Sequence, residues 1–177
     1  MFKLYKYENT LNVMNLTGDE VRRYLEYSYD SWISNPDETG HLLLLDEEGK
    51  IKNQYFNFDS AAGIRYNVNP YKPYGERVAI QSMMNGSPFN SQKMYKVAIN
   101  SYRFNGGGNH LESGVGLTKE QINERHVESI MTDLRELMVE ALKASDKLEI
   151  PTLNNWKFVP ENKLQQVINL DKCNFMK

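Results

Sequence analysis

Apolar and polar residues alternate from Thr10 to Leu16 (TLNVMNL), the period of a half-buried strand. The period then changes. Thr17-Gly18-Asp19-Glu20 has the composition of a capping box, in which the Thr17 hydroxyl accepts from the Glu20 amide while Glu20 reaches back to the cap. Val21, Tyr24, Leu25, Ser28 and Trp32 follow at helical spacing and predict a helix from about Gly18 to Ile33, ended by Asn35-Pro36-Asp37. Leu42 to Leu45 reads as a short buried strand and Asp46 to Lys50 as an exposed turn. Gln54 to Asp59 (QYFNFD) reads as a strand with Phe56 and Phe58, two apart, on one face. Ala61-Ala62-Gly63 permits a bulge or a close backbone approach.

Alternation resumes from Ile64 to Val68, and a long turn from Asn69 to Gly75 leads into a strand from Arg77 to Met83. Asn85-Gly86 is a hairpin signal, and Met94 to Arg103 is the next strand. Thr118-Lys119-Glu120-Gln121 is a second capping box. It opens what the spacing of Val127, Ile130, Leu134, Leu137, Met138 and Ala141 predicts to be the longest helix, from about Lys119 to Ala144. Ile150-Pro151 closes that connection, Trp156 to Val159 reads as a last edge strand, and Leu164 to Leu170 fits either element type. Strands and helices in this order predict an α+β fold: a mixed or antiparallel sheet packed with a long helix and a shorter N-terminal helix, in one domain over residues 1–177.

Composition narrows the function. The chain is 40% hydrophobic and 25% charged with a net charge of −2 and no basic run, which argues against a nucleic-acid polymer as partner. A single cysteine, Cys173, rules out a disulfide framework or a cysteine-based zinc site. The longest apolar run, Leu42 to Leu45, is far short of the ~20 residues of a membrane span. The N-terminus, MFKLYKYEN, lacks the apolar segment of a signal peptide. Eleven tyrosines suit either half-buried sheets or ligand walls.

The stretch with the most chemical promise is 94-MYKVAINSYRFNGGGNH-110. Gly108-Asn109-His110 matches the start of one metallophosphoesterase metal motif. A dinuclear site needs several His and Asp ligands, and the chain has only His41, His110 and His126, with no Asp-x-His and no His-x-His. The glycines form neither G-x-x-x-x-G-K-[ST] nor G-x-G-x-x-G. A glycine loop at a strand end can admit a planar ligand to the backbone; it can equally be a plain surface turn. Cys173 has no His partner near it in sequence, and no G-x-S-x-G elbow is present.

Four blocks in order, LYKYENTLNVMNLTGDEVRRYLEYS, FNFDSAAGIRYNVNPYKPYGERV, YKVAINSYRFNGGG and LNNWKF, resemble the C-terminal domain of the 5'-nucleotidase family. They are most similar to its 2',3'-cyclic-nucleotide 2'-phosphodiesterase branch. The resemblance implies a nucleotide- or nucleoside-recognition domain that stacks a base between aromatic rings. It implies that the two divalent metals and the hydrolysis belong to a metallophosphoesterase domain, in cis or in trans, so that this chain holds no cofactor and is not catalytic alone. It also implies a periplasmic or extracellular setting. The family's segment preceding the first block has no counterpart here. By matching position, Phe58, five residues before Gly63, is the first stacking ring, with Phe56 beside it. Gly106 and Gly107 match the glycine pair beneath the ligand, His110 is the nearest position for the second wall, and Tyr102 or Phe104 could substitute. The alternative is an interaction module that keeps the fold and associates with a separate metallophosphoesterase chain.

Overall fold

The computed structural model describes residues 5–144 and 152–175. The first strand, β1 (Leu11–Thr17), buries alternate residues and runs directly into helix α1 (Gly18–Asp30). Both halves of the capping box form: Glu20 N–H donates to Thr17 Oγ1 at 3.2 Å, and Thr17 N–H donates to Glu20 Oε2 at 2.8 Å. A short helix, α2 (Pro36–Thr39), follows, with Asn35 as its cap. Strands β2 (Ile64–Val68) and β3 (Val78–Met83) form an antiparallel hairpin, and β4 (Met94–Asn100) returns to lie antiparallel to β1. The single-turn helix α3 (Ser101–Phe104), helix α4 (Lys119–Glu124), strand β5 (His126–Ile130) and helix α5 (Leu134–Lys143) come next. Strand β6 (Trp156–Phe158) and helix α6 (Glu161–Phe175) complete the described chain.

Two three-stranded sheets result, in the orders β4-β1-β5 and β3-β2-β6. The first is antiparallel, whereas β6 runs parallel to β2, so the α+β expectation with mixed and antiparallel pairing holds. Helix α1 joins two cores. Its Leu25 and Tyr29 enter one with Ile64, Tyr66, Val68 and Leu164, while its Tyr24 enters the other with Met14, Leu16, Leu111 and Ile122. Val21 packs against both.

Four local expectations are corrected. The long helix from Lys119 to Ala144 is instead α4, β5 and α5. The residues His126–Ile130 pair with β1 from Met14↔His126 to Leu11↔Ile130, giving β1 a partner on its second edge. Val127 and Ile130 are β-branched and suit that pairing, so a spacing that also fits a helix was resolved by an unpaired strand edge. Asp133 then accepts from Arg135 N–H at 2.7 Å and starts α5 afresh. Gln54 to Asp59 is not a strand: Tyr55–Asn57 is a 3₁₀ turn, after which Phe58 is extended, so Phe56 and Phe58 do not share a face. The β4 strand ends at Asn100 rather than Arg103, because the Asn100 carboxamide accepts from Arg103 N–H at 2.9 Å and caps α3. Leu42 to Leu45 makes only isolated bridges, Ile33↔Leu43 and Leu45↔Ile51. The Ile150-Pro151 boundary lies outside the described residues.

The Leu42–Leu45 segment is held by the last helix. Buried Asp171 accepts from Leu42 N–H at 2.8 Å and Leu43 N–H at 2.9 Å through Oδ2, and its Oδ1 meets His41 Nδ1 at 2.7 Å. Asp171→Ala would leave two backbone donors without their acceptor, at a cost of roughly 2–3 kcal/mol. Chemical denaturation of the two proteins side by side should show a lower midpoint for the variant.

Candidate functional site

The helical turn of α3 gives Tyr102 and Arg103 opposite destinations. Arg103 points inward and is 2% exposed, while Tyr102 is 40% exposed on the surface. The buried guanidinium makes a two-pronged pair with Asp59, Nε to Oδ2 at 2.6 Å and Nη2 to Oδ1 at 2.9 Å. It also donates to Phe56 O at 2.9 Å, Gly107 O at 3.1 Å and Asn57 Oδ1 at 3.2 Å. One side chain therefore ties the Phe56–Asp59 segment to the glycine loop. Asp59 is fixed from the other side by α1: Tyr24 Oη donates to its Oδ2 at 2.5 Å, and Ser28 Oγ donates to its carbonyl at 2.8 Å. Burial works against the charge on Arg103, but the hydrogen bonds and negative charge of Asp59 outweigh it and hold its pKa above the ordinary value. Burial, reinforced by the charge of Asp59, pushes the Tyr24 hydroxyl pKa well up, so it stays a donor.

The glycines serve this packing. A Cβ on Gly107 would lie 2.5 Å from the Tyr102 ring. Gly108 has φ +72°, and a Cβ there would lie 2.5 Å from Arg103 Nη1. The loop thus closes over the guanidinium and under the tyrosine ring. Beside it stand exposed aromatics: Phe56 lies 6.4 Å from Tyr102, 5.7 Å from Tyr55 and 5.9 Å from Tyr7, all edge-on. Tyr102 Oη donates to Asn57 Oδ1 at 3.3 Å, and Arg103 sits over the Tyr102 ring at 5.2 Å. The exposed rings face solvent while the polar network beneath them is fixed, which is the make-up of a stacking surface.

Of the residues singled out in the sequence, the structure brings together Phe56, Tyr102, Gly106 and Gly107. Phe58 turns away, half-buried, with its ring edge-on to Tyr29 at 5.2 Å and Trp32 at 5.9 Å. Phe104 packs against the other core and the His126 ring. His110 is 1% exposed, behind the loop, with its ring against Tyr24 at 4.9 Å and Tyr27 at 5.3 Å. Its Nδ1 lies 3.0 Å from Gly108 O, and because a carbonyl only accepts, that nitrogen carries the proton. The other nitrogen, Nε2, is buried without a hydrogen bond, 3.8 Å from Asp59 Oδ2. Sequence reasoning missed Arg103, Asp59, Tyr24, Asn57, Tyr55 and Tyr7. A lone charged residue just past an apolar strand, as Arg103 is, was the one available signal.

The three histidines lie apart: His41 bonds Asp171, His126 bonds Ser129, and His110 is enclosed. Among the described residues no group of three or more His, Cys, Asp or Glu converges as a metal site would require, so these side chains do not fit a dinuclear centre.

The family model for the 5'-nucleotidase C-terminal domain matches residues 1–113. The trifunctional nucleotide phosphoesterase protein YfkN of Bacillus subtilis (strain 168) is 29% identical over 171 residues, covering 89% of this chain and 11% of that protein. A 2',3'-cyclic-nucleotide 2'-phosphodiesterase/3'-nucleotidase of Haemophilus influenzae is 27% identical over 174 residues, covering 89% of this chain and 24% of that one. The chain therefore spans less than a quarter of the length of these two relatives. Among solved structures, a 5'-nucleotidase-type protein of Staphylococcus aureus superposes with a TM-score of 0.70 at 22% identity, covering 89% of this chain and 28% of that one. At that identity the superposition speaks for the fold.

Two outcomes follow from the buried network. Arg103→Leu strands the Asp59 carboxylate and two carbonyls, and should cost about 3–5 kcal/mol in denaturant unfolding. The pKa of His110 is lowered to about 4, first by burial and then by the charge of Arg103. The unfolded chain takes up this proton near pH ~6.5, whereas the folded chain refuses it until about pH 4. Stability from this group is therefore whole above pH ~6.5 and lost as the pH falls through that window, by up to roughly 3 kcal/mol. Unfolding measured between those limits should show a shallower slope for His110→Asn than for the parent.

Proposed function

The chain belongs to the 5'-nucleotidase C-terminal domain family, and from that premise we propose that it is the nucleoside-recognition part of a 5'-nucleotidase or 2',3'-cyclic-nucleotide phosphodiesterase type of hydrolase. The observation that carries this reading is the pair of exposed rings, Phe56 and Tyr102, beside a glycine loop that the buried Arg103 ties to the Phe56–Asp59 segment. A base stacks on an exposed ring for ~1–3 kcal/mol, whatever its identity. The exposed carboxamides of Asn105 and Asn109 flank the same loop and can read a base edge or ribose by hydrogen bonding.

Hydrolysis is assigned elsewhere. Two divalent ions would supply the attacking water and stabilise the phosphate's charge in a metallophosphoesterase domain, in the same polypeptide or a separate one. On this reading the residues of this chain hold the nucleoside, and the metal chemistry belongs to that domain. The family likeness also supports a periplasmic or extracellular setting. Among the described residues no helix is long and apolar enough to cross a membrane.

One observation favours the second reading, a module that keeps the fold and acts by association. Phe58 and His110, two of the candidate pocket walls, are engaged inside the molecule instead. It predicts a stable complex with a catalytic chain and no nucleoside binding.

The recognition reading predicts that millimolar adenosine or AMP raises the melting temperature of the purified chain. Tyr102→Ala should weaken that binding about five- to a hundredfold while leaving the unliganded melting temperature close to the parent's. Titration calorimetry on both proteins decides it: no binding to the parent, or equal binding to both, sinks the stacking role.

A further inference from the structure

A cavity of about 540 Å³ lies outside the aromatic surface, in a trough between the two sheets. Leu16, Val21 and Leu25 form its floor, and Ala61, Ala62 and Met83 stand on one side. Along the other side runs β4 from Lys96 to Asn100. Most of the lining is apolar; its charged and amide side chains are Asp59, Lys96, Asn100 and Arg103.

The hydrogen-bonding direction of β4 can be read from its ends. Gly18 N–H donates to Lys93 O at 3.0 Å, and Ser101 N–H donates to Thr10 O at 2.8 Å. With the β1 register of Leu11↔Asn100 through Thr17↔Met94, the odd-numbered residues Tyr95, Val97 and Ile99 exchange bonds with β1. The even-numbered Lys96 and Ala98 direct their N–H and C=O away from it, into the trough. Neither group has a hydrogen-bond partner among the described residues, and β4 is an outer strand of its sheet.

We propose that this trough is the seat of an added β-strand: an extended polypeptide segment, apolar at alternate positions, that pairs with the free edge of β4. Three features favour that occupant. Donor and acceptor pairs repeat every second residue along the edge, the spacing at which another strand presents its own. The small side chains of Ala61, Ala62 and Ala98 leave room for a backbone to lie close. The relatives carry this fold on 11% and 24% of their length, so polypeptide beyond the matched portion is at hand in each. The proposal is independent of the nucleoside reading.

Amide hydrogen exchange on the purified chain tests it. The probe is a short acetylated and amidated peptide of alternating threonine and valine, closed by lysine at both ends. Saturating peptide should slow exchange at Lys96 and Ala98 by about tenfold or more, with Tyr95, Val97 and Ile99 unchanged. The same peptide N-methylated at every second residue lacks the donors and should have no effect. Ala98→Pro removes one outward N–H where proline is tolerated, at a strand edge, and should abolish the peptide's protection of Lys96 with the melting temperature preserved. Should that variant misfold, the N-methylated peptide alone decides. The proposal is overturned by no slowing at millimolar peptide, or by equal slowing with the N-methylated form. Protection of Lys96 and Ala98 that rises with chain concentration alone, the signature of self-pairing, also overturns it.

Discussion

The pair between buried Arg103 and half-buried Asp59 is the constraint on which the candidate site depends. Taking a guanidinium and a carboxylate out of water is costly, and the pairing offsets that only when every donor finds an acceptor. Here it does: Asp59, Asn57, Phe56 O and Gly107 O take the guanidinium donors, and Tyr24 completes Asp59. The partners come from three segments, so satisfying one charge places the Phe56–Asp59 turn, the glycine loop and α1 relative to one another. The exposed rings of Phe56 and Tyr102 are then carried on fixed backbone, and Arg103 itself sits over the Tyr102 ring.

That dependence explains the placement of His110. A ring packed between Tyr24 and Tyr27, close to a guanidinium, is kept neutral. Its Nδ1–H then holds Gly108 O and so the far end of the loop. What resembled a metal ligand in the sequence is a support for the glycine turn.

Much of the scaffold was legible because local signals and burial agreed. The alternation of β1, the Thr17 capping box and the helix stripe through Tyr24, Leu25 and Ser28 all correspond to the observed elements. The sequence misled where two periods fit the same residues. Val127 and Ile130 satisfy a helix stripe and a strand equally, and only the unpaired edge of β1, more than a hundred residues earlier, decides between them. Phe56 and Phe58 suggested a strand face, but fixing Asp59 to Ser28 and Arg103 draws the segment into a turn that sends one ring to solvent and the other inward. The ionic centre of the site was illegible for a similar reason. Asp59 and Arg103 are 44 residues apart, and nothing local marks either as the other's partner.

The division into two cores bears on how the chain folds as it leaves the ribosome. The core around Met14, Leu16 and Tyr24 draws its buried members from residues 14 to 122, so it can close while the remainder is still being made. The core around Tyr29 and Tyr66 must wait for Leu164 and for the strand carrying Trp156. Until they arrive, the inner edge of β2 and the apolar side of α1 stand open to other nascent chains. The order of synthesis thus sets an interval of vulnerability to aggregation that ends only when α6 docks.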